Sequence, residues 1–314
     1  MGLSKTSASR GCQGVDGSAG SGPETEEAVA AMGVPGSVGV IGGGRMGAGI
    51  AQVFATHGAA VSVVESDESA AVAARERIAE GLAKAAERGK LSRQPDVILE
   101  RVTVLGDLTR LPAEAELVVE AVPERVELKI DVLTRAESVV SDHAVLASNT
   151  SSLSITELGA ALREPRRFLG MHFFNPVPPS KLVEVVTAPQ TDETVTRRVR
   201  DWVRALGKTD VVVRDSPGFA TSRLGVLLGL EAIRMLEEGV ADAEAIDNAM
   251  ELGYRHPMGP LRSTDLVGLD VRLAIAEYLH STLGERFAPP RLLRDKVAAG
   301  ELGRKTGRGF FEWR

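Results

Sequence analysis

A histidine and a glutamate in the stretch GMHFFNPVPPSKLVEVV (170–186) could carry out proton transfer. His172 ends one apolar run, and Glu184 lies inside the next. A carboxylate within a buried strand is costly unless it is paired, and a strand, a proline-rich turn and an antiparallel return would bring Glu184 back to His172. The histidine would accept a hydroxyl proton as hydride leaves carbon, and the glutamate would stabilise the imidazolium. A lone histidine after an apolar run is more often structural, so this dehydrogenase chemistry requires a cofactor site elsewhere in the chain.

A glycine-rich turn offers such a site. The pattern G-x-G-x-x-G follows an apolar run (37–41) and opens a helical pattern (47–58), and a second apolar run ends at Glu65. The three glycines would permit a tight turn, close approach to a pyrophosphate and close helix–strand packing, while the helix N-terminus offers N–H groups to phosphates. Glu65 could accept the adenosine ribose hydroxyls and would repel a 2′-phosphate, so we predict NAD rather than NADP, with FAD as a minor alternative. The residues of the turn predicted to bind the cofactor are Gly42, Gly44, Arg45, Met46 and Gly47.

Alternating strand and helix patterns predict the elements that position these residues. Apolar runs lie at 37–41, 60–64, 102–105, 116–122, 144–148, 168–172, 181–187 and 209–214. Because most do not alternate with polar residues, they suit strands buried on both faces, and we predict an α/β fold with a Rossmann-type, doubly wound, mostly parallel sheet. Residues 219–300 have helix-like periodicity and no clear strand, which predicts a smaller all-helical C-terminal domain. The predicted units are a disordered tail (1–35), an NAD-binding Rossmann domain (36–216) and a helical domain for dimerisation and substrate binding (217–314).

Composition excludes several classes of protein. The 314 residues are 43% hydrophobic and 25% charged, as in ordinary soluble proteins, and the net charge of −6 argues against a nucleic-acid-binding surface. No apolar run is long enough for a membrane span, and the N-terminus lacks an apolar signal segment. The single cysteine, Cys12, allows no intramolecular disulfide, which fits a reducing compartment. We therefore predict a cytoplasmic protein without a membrane partner and without a metal site.

Several motifs resemble one enzyme family in sequence order. They are GGGRMGAGIA, VVEAVPERVELK, SNTSSLSI, HFFNPVPPSKLVEVV, DSPGF, GYRHPMGPLRSTDLVGLD and GRKTGRGFFEW, and they extend from about residue 37 to 313. On these motifs the chain resembles the short-chain L-3-hydroxyacyl-CoA dehydrogenases, including the 3-hydroxybutyryl-CoA dehydrogenases of bacteria. The resemblance implies oxidation of an L-3-hydroxyacyl-CoA by NAD to the 3-ketoacyl-CoA, or the reverse reaction.

The resemblance also implies roles for individual residues near the reacting carbon. His172 matches the family's catalytic base and Glu184 its acidic partner. Ser151 matches the serine that hydrogen-bonds the substrate's reacting oxygen, and it is counted among both the catalytic and the substrate-binding residues. Asn149 and Asn175 match asparagines that border the pocket, on the cofactor and substrate sides respectively, although both could instead stabilise turns.

Two further stretches match ligand-binding parts of the family. Glu124 and Lys129 match residues near the ribose and nicotinamide end of NAD, although both could belong to a solvated helix start. The segment LAKAAERGKLSR (82–93) is basic and could attract the phosphates of CoA, although a solvated helix end is the simpler interpretation. The family places a serine where this chain has Gly81 and a basic residue at Arg88, so Arg88 is predicted to bind substrate.

The chain departs from the family at one catalytic position. The segment after Pro-Gly-Phe ends in Asn-Arg in the family, whereas here Ser222 takes the place of the asparagine before Arg223. Serine keeps a donor and an acceptor but has less reach, so a water could bridge the contact. Thr221 is not expected to substitute, because neighbouring helical residues do not face the same way. The activity could be intact, directed at another substrate, or weak.

We therefore expect an NAD-dependent dehydrogenase with His172 as the base and Ser151 and Ser222 at the reacting oxygen. Two alternatives stay open, namely a relative acting on an acyl-carrier-protein thioester or another 3-hydroxy acid, and a non-catalytic NAD-binding protein. The apolar stretch ATSRLGVLLGLEAIRMLEEG (220–239) further predicts a homodimer through the C-terminal helices. Acyl chain length and physiological direction stay open.

Overall fold

The computed structural model describes residues 1–2 and 33–313. The predicted disordered tail (1–35) lies almost entirely outside these residues and stays a prediction. The division into units at 36–216 and 217–314 likewise stays a prediction.

A single sheet forms the centre of the first part of the chain. Within residues 33–313 it has eight strands, in the order β3-β2-β1-β4-β5-β6-β7-β8, and every neighbouring pair is parallel except β6 and β7. This order confirms the predicted doubly wound, mostly parallel sheet. The strands are β1 (Ser37–Ile41), β2 (Ala60–Val64), β3 (Val102–Leu105), β4 (Leu117–Glu120), β5 (Val145–Ser148), β6 (Phe168–Phe173), β7 (Leu182–Thr187) and β8 (Thr209–Arg214).

Helices cover both faces of the sheet, which explains why its inner strands are apolar throughout. One core lies on the face covered by α1, α2, α3 and α6, where Phe54 and Trp202 are buried. A second core lies on the opposite face under α4 and α5, where Leu133 and Ile155 are buried. These helices are α1 (Arg45–Thr56), α2 (Glu68–Glu87), α3 (Pro95–Leu99), α4 (Val126–Val139), α5 (Ile155–Ala160) and α6 (Glu193–Ala205).

The rest of the described chain is helical and has a core of its own. Between residues 215 and 313 the structure contains helices and no strand, as the periodicity predicted. Leu230, Leu261 and Leu279 belong to the shared core. The helices are α7 (Thr221–Glu237), α8 (Ala243–Tyr254), α9 (Pro260–Val267), α10 (Leu269–Leu283) and α11 (Arg291–Ala298). Among the described residues, no helix combines the length and apolar character needed to cross a bilayer.

An arginine occupies a core position in this helical part. Arg272 of α10 is only 6% exposed, and its Nη1 and Nε atoms lie where side chains on Gly225 and Gly229 of α7 would otherwise reach. Its Nε has no hydrogen-bond partner within residues 33–313. Burial lowers the pKa of Arg272 to about 10, so the group is charged at neutral pH, and no carboxylate of the described residues pairs with it.

Candidate active site

His172 and Glu184 lie directly opposite each other on β6 and β7, the one antiparallel pair of the sheet. His172 Nδ1 is 2.8 Å from Glu184 Oε2, and both side chains are buried. A carboxylate can only accept, so Nδ1 donates and Nε2 of the neutral ring is left as an acceptor. Nε2 lies 3.1 Å from Ser151 Oγ. The structure therefore brings three of the predicted catalytic residues into one hydrogen-bonded chain.

The start of α7 fixes the Glu184 carboxylate. Glu184 Oε1 accepts the N–H groups of Ala220 at 3.2 Å and Thr221 at 2.9 Å, and Oε2 accepts the Thr221 hydroxyl at 2.8 Å. Burial acts to raise the pKa of Glu184, but the hydrogen bonds from His172 and Thr221 outweigh it and hold the pKa below its ordinary value. The free N–H groups at a helix start favour a negative charge in the same way, so Glu184 is ionised at neutral pH.

Thr221 and Ser222, at the start of α7, differ in their contacts. Thr221 bonds to Glu184 through both its backbone and its hydroxyl, a supporting role that we did not predict; the expected role of Ser222 at the reacting oxygen stays a prediction. Ser222 makes no side-chain hydrogen bond within the described chain, although it is only half-buried and adjoins the site. This difference depends on where the helix begins. Ala220 is the N-cap of α7, so Thr221 is the first helical residue, and its hydroxyl reaches the Glu184 carboxylate.

Two phenylalanines enclose the imidazole of His172. The ring of Phe174 lies 4.5 Å from it and that of Phe219 lies 5.7 Å away, measured between centroids. Phe219 has a φ of 51°, in the left-handed region that a bulky residue rarely adopts. Such strain is maintained only where surrounding packing holds it, and here it places Phe219 edge-on against the imidazole.

Glu124 supports the turn that carries Ser151. Its Oε1 accepts the N–H of Ser151 at 3.0 Å and that of Ser152 at 3.2 Å, and it also accepts the Thr150 hydroxyl. The loss of surrounding water acts to raise the pKa of Glu124, but the charge of Lys129 and the bond from Thr150 lower it overall. Glu124 was predicted as a cofactor residue, and its observed contacts also position the serine beside His172.

Glu120 connects this turn to the sheet and was not predicted. It is fully buried at the end of β4, where it accepts the Lys129 ammonium at 2.7 Å, the Ser148 hydroxyl at 2.5 Å and the N–H of Val122 at 2.7 Å. Lys129, predicted near the cofactor, is 1% exposed and also lies 3.3 Å from Glu124. A glutamate inside the apolar run ELVVEAV (116–122) was the signal in the sequence that could have pointed to it.

The two predicted asparagines are in different surroundings. Asn149 Oδ1 accepts the N–H of Phe173 at 2.8 Å, which ties the ends of β5 and β6 together. Asn175 is exposed in the turn between β6 and β7, and its peptide bond to Pro176 is cis. Arg88 is exposed at the C-terminal end of α2 and is not among the hydrogen-bonded residues around His172.

A buried lysine holds the turn between β6 and β7. Lys208 is 8% exposed, and its ammonium donates to the carbonyl oxygens of Val177 at 2.8 Å and Ser180 at 2.5 Å. Burial lowers the pKa of Lys208. No salt bridge forms at its ammonium within residues 33–313, so backbone carbonyls are its partners there. Val177 also packs closely on Gly49 of α1, so the turn is fixed against the first helix after the glycine motif.

The glycine-rich turn has the shape that a dinucleotide requires. Gly42 has a φ of 93°, and a Cβ on Gly47 would lie 1.7 Å from the Gly42 carbonyl oxygen, whereas a Cβ on Gly44 would meet nothing within 4 Å. Gly43 donates its N–H to Glu65 Oε1 at 2.6 Å. No side chain caps α1, so its first N–H groups remain available to phosphates. NAD fits these residues, with Arg45 exposed and Met46 half-buried at the helix start.

The chain matches known proteins over nearly all of its described length. Residues 37–216 match the profile of the 3-hydroxyacyl-CoA dehydrogenase NAD-binding domain, and residues 218–313 match that family's C-terminal domain. A probable 3-hydroxybutyryl-CoA dehydrogenase of Deinococcus radiodurans is 44% identical over 276 residues, which cover 88% of this chain and 99% of the relative.

Solved structures agree with this assignment. Mycobacterium tuberculosis FadB2 superposes with a TM-score of 0.86 at 43% identity, over 90% of this chain and 100% of the other. The (S)-3-hydroxybutyryl-CoA dehydrogenase PaaH1 of Ralstonia eutropha superposes with a TM-score of 0.84 at 39% identity, over 89% and 99% of the two chains. The fold and the sequence together show an NAD-dependent oxidoreductase, and the chain belongs to the 3-hydroxyacyl-CoA dehydrogenase family.

Proposed function

We propose that the protein oxidises a short-chain L-3-hydroxyacyl-CoA, such as 3-hydroxybutyryl-CoA, to the 3-ketoacyl-CoA, or catalyses the reverse reaction in fatty-acid metabolism. Two of the similar proteins bear the name 3-hydroxybutyryl-CoA dehydrogenase. The observation that carries the proposal is the chain Glu184–His172–Ser151, in which His172 Nε2 is an acceptor beside a serine hydroxyl.

In the oxidative direction His172 acts as the base. The substrate's C3 hydroxyl gives its proton to Nε2, while the C3 hydrogen leaves with its bonding electrons as hydride and the C3–O bond becomes a carbonyl. When bound, NAD supplies the hydride acceptor. Glu184 Oε2 then forms an ion pair with the His172 imidazolium, whose Nδ1 is 2.8 Å away. Both groups are buried, and an ion pair is far stronger there than in water. Ser151 Oγ donates to the reacting oxygen and holds it near Nε2.

The CoA part of the substrate has a candidate contact in the basic end of α2. Lys84 in the last turn of α2 and Arg88, Lys90 and Arg93 directly after it are exposed, and the phosphate charges of CoA would be attracted to them despite the net negative charge of the chain. Arg88 is the residue to which we assign direct substrate contact.

A homodimer in the cytoplasm is part of the same proposal. Large apolar side chains on α7, α9 and α10 are exposed, and a second copy would cover them. They are Leu224, Leu227, Val267 and Val271. Sedimentation at micromolar concentration tests this part, and a monomer would contradict it. The cytoplasmic location is supported by the single cysteine, Cys12.

The decisive experiment follows NADH formation from 3-hydroxybutyryl-CoA by wild type and His172→Ala. We expect turnover to be lost in the variant while NAD binding, measured by calorimetry, stays close to that of wild type. Full turnover by His172→Ala would refute the mechanism. A panel of CoA thioesters of increasing chain length, with acyl-carrier-protein thioesters and free 3-hydroxy acids as further arms, defines the substrate.

A further inference from the structure

Ser151 belongs to a segment rich in serine and threonine (148–156), which joins β5 to α5. Most hydroxyl groups of this segment donate to carboxylates from other parts of the chain. Ser148 donates to Glu120, Thr150 and Ser152 donate to Glu124, and Ser154 and Thr156 donate to Asp215. Glu120 and Glu124 thus hold the first part of the segment, and Asp215 holds the second part.

Asp215 accepts three hydrogen bonds on one oxygen. Its Oδ2 accepts the Ser154 hydroxyl at 2.8 Å, the Thr156 N–H at 2.8 Å and the Thr156 hydroxyl at 2.6 Å. The N–H of Asp215 donates to the carbonyl oxygen of Thr187, at the end of β7, at 2.8 Å. The backbone of Asp215 is therefore fixed to the sheet, while its carboxylate is fixed to the start of α5.

The bonds from α5 to Asp215 exceed what the helix needs for capping. Ser154 is the N-cap of α5, and its hydroxyl accepts the N–H of Glu157 at 3.2 Å. A serine in this position satisfies a free N–H group of a helix start by itself. Asp215 adds a bond to the N–H of Thr156 from 59 residues further along the chain. The distant carboxylate therefore fixes where the start of α5 lies relative to β7.

A tight turn connects the start of α5 to Ser151. Only two residues separate Ser151 from Ser154, and the N–H of Leu153 donates to the Thr150 hydroxyl at 2.9 Å across this turn. A shift of Ser154 is thus passed on to Ser151, whose Oγ lies 3.1 Å from His172 Nε2. A displacement of about 1 Å at a reacting group can lower a rate about a hundredfold.

Asp215 also begins the connection that supports the other end of the hydrogen-bonded chain Glu184–His172–Ser151. It directly follows β8, and the connection leads into α7, where Thr221 bonds to Glu184 through its N–H and its hydroxyl. One short connection therefore contacts the glutamate at one end and the segment that carries the serine at the other.

We infer that Asp215 is a positioning residue for the proposed reaction, and that it holds the Ser151 hydroxyl at His172 and at the reacting oxygen. It acts through Ser154 and Thr156, so its contribution to the rate disappears when the Ser151 hydroxyl is absent. The inference rests on the proposed function, in which Ser151 donates to the reacting oxygen.

NADH formation from 3-hydroxybutyryl-CoA by wild type, Asp215→Ala, Ser151→Ala and the double variant tests this dependence. We expect Asp215→Ala to lower kcat about tenfold to a hundredfold with little change in the KM for NAD, because a displaced serine weakens a transition-state contact. The double variant should have a kcat within about twofold of Ser151→Ala, since residues that act as a unit are not additive. Wild-type kcat in Asp215→Ala, or an equal fall in both backgrounds, would overturn the inference.

Asp192→Ala is the matched control for the loss of a capping carboxylate. Asp192 caps α6, where its Oδ1 accepts the N–H and the hydroxyl of Thr194, both at 2.7 Å. Its own N–H bonds to the carbonyl oxygen of Arg166, before β6 begins, whereas His172 lies near the end of β6. We expect this variant to keep wild-type kcat, and a fall equal to that of Asp215→Ala would overturn the inference.

Two milder variants keep the test usable if Asp215→Ala does not fold. Thr156→Val removes one of the three donors to Asp215, and Asp215→Asn keeps an oxygen that can accept two bonds. Both should lower kcat less than the loss of the whole carboxylate, and both effects should again disappear in the Ser151→Ala background. Effects that persist in that background would overturn the inference.

A measurement without turnover separates this inference from the proposed function. The ¹⁵N chemical shift of His172 Nε2 reports the hydrogen bond to Ser151, and the His172→Ala spectrum assigns its signal among the five histidines. Asp215→Ala should move this shift toward its value in Ser151→Ala, whereas Asp192→Ala should leave it unchanged. Absence of wild-type turnover on every 3-hydroxyacyl thioester would refute the proposed function, and an unchanged shift in Asp215→Ala would refute the role of Asp215.

Discussion

Replacing Thr221 with valine removes one hydrogen bond from the Glu184 carboxylate with little change in shape. The hydroxyl bond is 2.8 Å long and ends on a buried carboxylate, and a hydrogen bond to a charged group contributes about 1.5–3 kcal/mol. Glu184 keeps the bonds from His172 and from the N–H groups of Thr221 and Ala220. We therefore expect the variant to lose about 2 kcal/mol of unfolding free energy at neutral pH.

The loss should depend on pH. Because the folded pKa of Glu184 is held below its ordinary value, its contribution to stability is present above the unfolded pKa of about 4.3 and disappears as pH falls through the folded pKa. Thr221→Val raises the folded pKa toward the ordinary value. The difference in stability between wild type and variant should thus be largest near pH 7 and shrink when Glu184 is protonated.

Urea denaturation of wild type, Thr221→Val and Ser222→Ala at several pH values measures how the free energy of unfolding of each protein depends on pH. Ser222→Ala is the matched control, since the hydroxyl of the neighbouring serine makes no hydrogen bond within the described residues, and we expect it to change stability by less than about 0.5 kcal/mol. Activity of Thr221→Val should stay within about tenfold of wild type, because Glu184 remains ionised. An equal or larger loss in Ser222→Ala, or a Thr221→Val loss independent of pH, would refute the assigned contacts.

Three further substitutions probe the buried charges. Lys208→Met leaves the carbonyls of the β6–β7 turn unsatisfied, so we expect about 1–3 kcal/mol lower stability and a raised KM. Denaturation and steady-state kinetics measure both, and Lys208→Arg should rescue part of each. Glu120→Gln leaves Lys129 without its closest counterion and should destabilise by about 3 kcal/mol, whereas Glu124→Gln, a more exposed partner of Lys129, should cost less in the same denaturation experiment. Arg272→Met should stabilise by about 1–3 kcal/mol, because replacing a buried charge that has no counterion among the described residues by an apolar side chain of similar volume is often stabilising. A thermal melt showing destabilisation would mean that the guanidinium has a partner, for example across a subunit interface.

The sheet and the pairing of His172 with Glu184 could be predicted because both follow from local patterns in the sequence. Apolar strands covered on two faces read as continuous apolar runs, and the proline-rich turn after His172 indicated a hairpin. The antiparallel return then placed Glu184 opposite the histidine, where a buried carboxylate needed a partner.

The supporting residues could not be predicted because their roles depend on contacts distant in sequence. Whether Thr221 or Ser222 faces the carboxylate depends on which residue begins α7, and a shift of one residue turns a side chain by about 100°. Glu120 and Lys208 interact with segments that only the folded sheet brings near them. A charged residue inside an apolar run or directly before one was the signal in the sequence for Glu120 and Lys208, and the motif resemblance did not single out either residue.

The carboxylate that supports His172 also accepts the first N–H groups of α7. Residues 215–220 connect the last strand to that helix, and Ala220 and Thr221 at its first turn bond to Glu184. These bonds exist only while the first turn of α7 stays against β7, so a displacement of that turn would remove donors from the carboxylate. The charge of the carboxylate that supports His172 is therefore stabilised by the same backbone groups that begin the helical part of the chain.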